Sequence, residues 1–245
     1  MTRVKPARRL FVAPPLAEGA SFDLTEAQAH YIGHVMRLTV GDDIAVFNGR
    51  DGEWRAVVSH LRKARCSLRV LERLRPQVRE PDLWLAFAPL KRTRIDLLAE
   101  KAGELGAAVL WPVITARTNA ERVNTERLMS IAIEAAQQCG RMTVAEVREP
   151  ATLTKVLDQW PQSRRLFVLD ESGAGLPIAA ALQKHGDESC GFLIGPEGGF
   201  APEEAAQWRR LSFVTAIGLG PRLLRAETAA MAALACWQAL AGDWR

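Results

Sequence analysis

Cysteine is scarce in this chain, and its four copies lie far apart. Cys66, Cys139, Cys190 and Cys236 form no C-x-x-C pair, so the sequence supports neither a zinc ribbon nor a thiol redox motif. Widely separated cysteines of this kind are usually small buried apolar side chains. We expect each of the four to be buried in that way.

Long hydrophobic runs are also missing. Hydrophobic residues make up 48% and charged residues 24% of the 245 positions, a balance that is typical of globular domains rather than of disordered or membrane-spanning chains. The N-terminus is basic, but no apolar core and small-residue cleavage site follow it. We therefore expect no signal peptide, no membrane association and a cytoplasmic protein.

The motifs of two enzyme classes are absent as well. The chain has no G-x-S-x-G elbow and no Cys/His/Asn arrangement that would give a hydrolase its nucleophile. His30 and His34 have the i,i+4 spacing of a metal-binding pair, but no HExxH motif and no nearby acidic third ligand accompany them. We therefore expect no metal site.

Positive charge is distributed unevenly along the chain. Residues 1–80 carry a net charge of +5 and residues 81–245 a net charge of −1, which suggests a polyanion-facing module beside a near-neutral one. The excess is densest at residues 62–79, where seven basic residues accompany one acidic residue. On a strand, Arg65, Arg69 and Arg73 would share a face that suits phosphates. A solvated basic surface without a partner is the alternative.

The first segment of the chain has the pattern of a small β-rich domain with one helix. Thr25 and Gln28 form a capping-box pair, and the helix that they begin should stop at Gly41. Short strands with turn signals between them suggest a small barrel. The strand candidates are residues 44–47, 54–58 and 66–70.

After a linker at residues 76–82 the pattern changes to apolar runs that alternate with helical stretches. Strands that alternate with helices imply a mostly parallel sheet covered on both faces. Thr93 and Asp96 should cap the first of these helices. The strand candidates are residues 83–88, 107–114, 166–169, 192–194 and 213–219, and the helix candidates are residues 93–105, 125–139 and 226–240.

Two glycine-rich loops follow predicted strands, at residues 195–199 and 218–228. Ligands of open α/β sheets bind beyond the carboxyl ends of strands, where glycine lets backbone groups approach them closely. Such a slot suits a planar base such as adenine. Asp170 and Glu171 also follow a strand, and they either bind a hydroxyl group or cap the next turn.

The first loop is not a standard phosphate binder. It matches neither G-x-G-x-x-G nor G-x-x-x-x-G-K-[ST]. Pro196 removes a backbone donor, and Glu197 would repel a phosphate. The loop therefore argues against NAD and ATP and is compatible with a neutral or cationic ligand. Two glycine/proline turns without a ligand remain the alternative.

Six stretches of the chain resemble one family. They are RRLFV at 8–12, HYIGHVMRLTVGDDIAVFNG at 30–49, EKAGELGAAVLWPV at 100–113, EAAQQCGR at 134–141, FLIGPEGGF at 192–200 and LGPRLLRAETA at 219–229. They are similar to segments of the bacterial ribosomal RNA uracil-N3 methyltransferases of the SPOUT class, the RsmE family. The sequence departs from the family pattern at Gly103, where Thr is usual, at residues 116–119, and at residues 142–147, which lack a usual proline.

The resemblance implies a fold, an activity and a set of partners. It implies a PUA-like RNA-binding β-barrel at residues 1–75 and a SPOUT-type α/β methyltransferase domain with a deep trefoil knot at residues 83–245. The expected reaction is transfer of a methyl group from S-adenosylmethionine to N3 of a uridine in the decoding region of 16S rRNA. A homodimer would complete the site. The alternatives are a SPOUT enzyme acting on another RNA position, such as a ribose 2′-hydroxyl, and a non-catalytic rRNA-binding assembly factor.

The resemblance and the loop positions together nominate site residues. Arg225 would stabilise the uracil anion, whose charge spreads onto two carbonyl oxygens. Glu227 would orient Arg225 or assist removal of the N3 proton, and a pair that only braces the loop is the alternative. The walls of the cofactor slot would be Leu169, Gly195, Pro196, Glu197, Gly198, Gly199, Leu219, Gly220 and Leu224. The expected contacts to RNA phosphates are Arg8, Arg9, Arg62, Lys63, Arg65, Arg69 and Arg73.

Overall fold

The structure is a computed structural model that describes residues 8–118, 123–185 and 189–245. The chain forms two compact units, Met1–Arg79 with Ala136–Val144 and Glu80–Ala135 with Ala145–Arg245. The first unit thus contains a later segment of the chain, which the sequence pattern assigns to the second domain. Among the described residues, no helix has the length and apolar character that crossing a membrane requires.

The first unit is built on a five-stranded sheet. Its strands are β1 (Arg9–Phe11), β2 (Ser21–Asp23), β3 (Asp43–Phe47), β4 (Glu53–Arg62) and β5 (Arg65–Arg75), in the order β1-β3-β4-β5-β2. β1 and β3 are parallel, and the other neighbours are antiparallel. Along β5, buried Cys66, Leu68 and Val70 alternate with more exposed residues, so one face of the strand packs on the core and the other meets solvent.

One helix of the first unit is short and changes type. α1 (Glu26–His30) continues as a π-helical turn over Tyr31–Val35. The capping box is confirmed, because Thr25 accepts from the backbone N–H of Gln28 and the Gln28 side chain accepts from the backbone N–H of Thr25. The predicted stop at Gly41 is wrong: the helix ends at Val35, and Arg37 then adopts the left-handed region with φ of 56°.

The rest of the chain confirms the predicted parallel sheet. Its strands among the described residues are β6 (Leu83–Phe87), β7 (Ala107–Ile114), β8 (Glu146–Val147), β9 (Ala151–Thr152), β10 (Arg165–Leu169), β11 (Leu176–Pro177), β12 (Cys190–Ile194) and β13 (Val214–Gly218). These eight strands are all parallel, in the order β11-β13-β10-β12-β6-β7-β8, with β9 paired to β7. The helices are α2 (Arg92–Glu104), α3 (Thr125–Cys139), α4 (Leu153–Gln159), α5 (Ile178–His185), α6 (Pro202–Arg209) and α7 (Ala226–Leu240).

The centre of this sheet is covered on both faces. Every residue of β6 and β12 is buried, as in parallel sheets that carry helices on each side. α7 packs against α2, α5 and β12. A cluster that includes Trp84, Trp111 and Trp160 is also buried in this unit. The covered centre leaves the ends of the strands as the place for a ligand.

Two sequence predictions fail in detail. α2 begins at Arg92, so Thr93 lies inside the helix, and the carboxylate of Asp96 accepts two hydrogen bonds from Arg127 at 2.9 and 2.6 Å instead of capping. Cys139 is exposed and Cys236 is half-buried, whereas Cys66 and Cys190 are buried as expected. The cysteine prediction is thus wrong at the end of α3, where a helix meets solvent.

Candidate functional site

A cavity of about 740 Å³ opens where three neighbouring strands end. Leu169 at the end of β10, Ile194 at the end of β12 and Ile217 in β13 contribute to its lining. The loops that follow these strands form its walls. Both glycine-rich loops therefore meet at the carboxyl edge of the sheet, which is where open α/β sheets bind ligands.

Eight of the nine residues expected to form a cofactor slot line this cavity. They are Leu169, Gly195, Pro196, Glu197, Gly199, Leu219, Gly220 and Leu224. Gly198 does not line it, and its carbonyl oxygen accepts a hydrogen bond of 2.7 Å from Nη1 of Arg117. The structure thus gathers the predicted wall residues, and their binding role stays a prediction.

The first loop is held tight by its glycines. The backbone N–H of Gly199 donates to the carbonyl oxygen of Pro196 at 2.9 Å, and Gly199 has φ of +67°. A Cβ at Gly199 would collide with the carboxylate of Glu171. Glycine is favoured here because its φ lies in the left-handed region, whereas the exposed Glu171 carboxylate could move away from a Cβ.

Two acidic residues after β10 line the cavity, and they differ in whether their carboxylates have a partner. Burial by itself would raise the pKa of Asp170, but hydrogen bonds from Ser172 and the Arg209 guanidinium outweigh it and hold that pKa below its usual value. Arg209 donates to Asp170 at 2.9 Å. Glu171 is exposed and makes no hydrogen bond or ion pair with another described residue. Glu171 is thus the carboxylate in this loop that is open to a ligand.

Arg94 joins the first loop to the start of α7. Its guanidinium contacts the carboxylate of Glu197, and its Nε lies 3.6 Å from Oε1 of Glu227. Glu227 is 8% exposed, and its other carboxylate oxygen has no hydrogen-bond partner among the described residues. Because Glu227 lies against Arg94, the expected pairing of Glu227 with Arg225 is not what the structure shows.

Arg94 and Arg222 are site residues that the sequence does not nominate. Arg94 stands in the first turn of α2, where the sequence pattern predicts only helix capping, and it lies more than a hundred positions from both carboxylates that it contacts. The only local signal was its cluster of basic neighbours at the beginning of that helix. Contacts between distant segments leave no periodic trace in a sequence.

Two further arginines line the cavity without an acidic partner. Arg225 occupies the N-cap position of α7, is exposed, and has no side-chain capping bond. Neither Arg225 nor Arg222 forms an ion pair with a described residue, although both contribute to the cavity wall. The second loop therefore presents unpaired positive charge to whatever occupies the cavity.

The first unit contradicts one predicted RNA contact. Arg9 is 4% exposed, and its Nε donates to Oε1 of Glu53 at 2.5 Å. Its other nitrogens donate to the carbonyl oxygens of Ala136, Gln137 and Arg141 at 2.6 to 3.1 Å. Arg9 thus stabilises the fold of this unit, and its donors are occupied, so it is not available to a phosphate.

The other predicted RNA contacts are exposed. They are Arg8, Arg62, Lys63, Arg65, Arg69 and Arg73. Arg73 also lies over the ring of Trp54, 5.9 Å from its centroid. Since none of the six forms an ion pair with a described residue, their charge faces solvent.

Comparison with known proteins decides the family. A model of RNA methyltransferase domains matches residues 78–238, and a model of RNA methyltransferase PUA domains matches residues 24–71. The ribosomal RNA small subunit methyltransferase E of Rickettsia conorii is 32% identical to this chain, and the alignment covers 93% of each protein. The chain belongs to the ribosomal RNA small subunit methyltransferase E family.

Other members of the methyltransferase E family agree in sequence and in structure. The member from Synechocystis is 33% identical over 96% of this chain. A crystal structure of the member from Neisseria gonorrhoeae, bound to S-adenosyl methionine, superposes with a TM-score of 0.87 and 27% identity, and the match covers 98% of this chain and 100% of that one. The family resemblance and the α/β fold with an N-terminal PUA-like domain are thereby confirmed. The knot and the homodimer stay predictions.

Proposed function

We propose that this chain transfers a methyl group from S-adenosylmethionine to N3 of a uridine in the decoding region of 16S rRNA. The observation that carries the proposal is the cavity at the carboxyl edge of the parallel sheet, lined by both glycine-rich loops. The family relatives are named as small-subunit ribosomal RNA methyltransferases, and the neisserial one binds S-adenosyl methionine.

The chemistry of the cavity fits this cofactor. Its volume of about 740 Å³ lies in the range of small-molecule sites. Backbone at Gly195 and Gly220, with Leu219 and Leu224 beside it, suits the edge and faces of an adenine. Glu171 offers a carboxylate to hydroxyl or ammonium groups, and Arg222 offers a guanidinium to a carboxylate.

The residues present also suit the chemical step. When bound, the cofactor supplies a methyl group already activated by a sulfonium, so the chain needs no nucleophile of its own. This chain must hold the acceptor in line and favour loss of its N3 proton. Arg225 lines the cavity with an unpaired, exposed guanidinium, so we assign it to the negative charge that develops on the uracil oxygens.

Glu227 takes a different role from Arg225. It does not line the cavity, and its nearest cation is Arg94, which also contacts Glu197 of the first loop. We therefore assign Glu227 as a positioning residue that acts through Arg94. In this arrangement a buried carboxylate in α7 fixes the guanidinium that holds the first loop.

The exposed basic residues of the first unit are assigned to the RNA backbone. Lysine and arginine contacts to phosphates position a nucleic acid without reading its sequence. The residues assigned to this role are Arg8, Arg62, Lys63, Arg65, Arg69 and Arg73. Their removal should weaken RNA binding and reduce its dependence on salt concentration.

The reaction is tested with small ribosomal subunits from a strain that lacks the modification. The protein is incubated with them and with S-adenosylmethionine carrying a labelled methyl group, and the nucleosides are separated by mass spectrometry. Label in N3-methyluridine from the decoding region supports the proposal. Label on a ribose 2′-hydroxyl would favour the alternative enzyme, and no label with no heat of cofactor binding would favour an assembly factor.

A further inference from the structure

Two exposed histidines of the first unit stack on each other. The rings of His30, the last residue of α1, and His34, in the π-helical turn, have centroids 4.4 Å apart and planes inclined by 29°. Both residues are exposed, and the following residue, Val35, is 60% exposed. The pair presents a flat aromatic and apolar surface to solvent, and neither the fold nor the cavity uses it.

The π-helical turn that contains His34 packs near the basic end of the β4–β5 hairpin. A Cβ built on Gly33, one residue before His34, would lie 3.9 Å from the methyl groups of Leu61. The four residues after Leu61, at the hairpin end, include Arg62, Lys63 and Arg65. The turn that contains His34 therefore packs within one residue of a hairpin end that has three exposed cations.

The hairpin end carries charge at a cost to its own stability. Arg62 and Arg65 are direct cross-strand partners, and like charges in that position repel each other. Lys63 between them has φ of 53°, a left-handed conformation in which glycine is the favoured residue. Among the described residues Arg37 is the other non-glycine residue with positive φ, and it follows the π-helical turn. An anion bound between the two arginine side chains would offset their repulsion.

We propose that the His30–His34 stack is a platform for an unpaired base of the ribosomal RNA, whose phosphates the hairpin end holds. Single-stranded RNA is recognised by stacking of its bases on aromatic side chains, histidine included. The bases of a duplex are paired and stacked inside the helix, so they are not available to stack on the histidine rings. The inference rests on the proposed function, in that the substrate is RNA.

The test asks whether RNA binding depends on the flat rings of the two histidines or on their polarity. The probe is a short single-stranded oligouridylate that contains one 2-aminopurine, whose fluorescence is quenched when it stacks. Full-length protein is compared with the double variants His30→Phe/His34→Phe, which keeps two flat rings, and His30→Gln/His34→Gln, which keeps polarity without rings. Because both side chains are exposed, thermal melting should be the same for all three proteins.

We expect the glutamine variant to bind about tenfold more weakly, as loss of one base–aromatic stack implies, and to lose the quenching. The phenylalanine variant should retain both, and the slope of affinity against salt should be the same for all three proteins. Equal quenching by the glutamine variant, loss of binding by the phenylalanine variant, or equal affinity for the annealed duplex would each overturn the platform. Cofactor binding measured by calorimetry stays a separate readout, so failure of the proposed function is distinguishable from failure of this inference.

Discussion

The surroundings of an arginine decide whether it serves the fold or a ligand. Arg8 and Arg9 are neighbours of the same type in the sequence, yet Arg8 is exposed and Arg9 is 4% exposed. Arg9 donates to Glu53 and to three backbone carbonyl oxygens. No composition or spacing rule separates two such residues, because the carbonyl oxygens that engage Arg9 lie more than a hundred positions further along the chain.

Replacing Arg9 should therefore destabilise the protein without a direct effect on RNA phosphates. The change Arg9→Ala leaves a buried carboxylate and several buried carbonyl oxygens without donors, which costs about 3–5 kcal/mol. The free energy of unfolding in urea measures the loss, and Arg8→Ala is the matched control with little effect. Equal stability of the two variants would contradict the assignment of Arg9.

Glu53 should make the stability of the fold depend on pH. Burial by itself would raise the pKa of Glu53, but Arg75 and Arg9 outweigh it and hold that pKa below the ordinary 4.5. Since the unfolded chain then takes up the proton at the higher pH, this contribution is complete above the ordinary pKa and is lost as the pH falls through the folded pKa.

The measurement is the free energy of unfolding across about pH 6 to pH 3, the range in which carboxylates titrate. The change Glu53→Gln should make the decline toward low pH shallower, whatever its effect on stability at neutral pH. An unchanged pH dependence in this variant would mean that other carboxylates account for the decline.

Arg225 should matter for turnover rather than for cofactor binding. Removing a group that stabilises developing negative charge costs about 10²–10³ in kcat, so Arg225→Ala should show a loss of that size in methyl transfer. The Kd of S-adenosylmethionine, measured by calorimetry, should stay nearly the same. Full turnover in this variant would remove Arg225 from the mechanism.

At the scale of elements, helix α2 braces the cavity through one side chain. Arg94 in its first turn contacts Glu197 after β12 and Glu227 in α7. Three elements that are distant in sequence thus meet at one guanidinium. This arrangement makes the first loop dependent on a helix that contributes little else to the cavity lining.

The Arg94→Met variant should lose stability and bind S-adenosylmethionine more weakly. Loss of the guanidinium leaves Glu227 buried without a cation, and because Arg94 is partly exposed the cost is about 1–2 kcal/mol. The double variant Arg94→Met/Glu227→Gln should regain stability, because the buried charge is gone. A double variant no more stable than Arg94→Met, in urea unfolding, would show that the pair is not coupled.

The elements that the sequence predicted are those with a strong local pattern. Buried runs at β6, β7, β10 and β12 and the long helices α2, α3 and α7 were all found near their expected positions. The helices α4, α5 and α6 were missed, because each spans eight residues or fewer and short helices owe their stability to packing rather than to propensity.

In the candidate site, too, features with a local sequence pattern were predicted and contacts between distant segments were not. The sequence placed both loops after strands, and eight of nine wall residues line the cavity. Sequence order does not show which strand ends are neighbours in the sheet, here β10 between β12 and β13. Nor does it show that Glu171 lies against Gly199. These contacts follow from the sheet order, which hydrophobic periodicity does not encode.

At the scale of the whole molecule, the first unit is not a contiguous piece of the chain. It contains Met1–Arg79 and Ala136–Val144, and the later segment supplies carbonyl oxygens to Arg9 and to Arg75. A fragment that ends at residue 79 should therefore fail to fold cooperatively. Circular dichroism during thermal melting checks this, and a cooperative transition in that fragment would contradict it.

The discontinuity of the first unit also sets an order of events during synthesis. Domains usually fold as units from the N-terminus while the chain is still being made. Here the guanidinium of Arg9 can engage its carbonyl partners only after residues 136–144 have left the ribosomal tunnel. This earlier segment is thus completed late, after β6, α2 and β7 have already been translated.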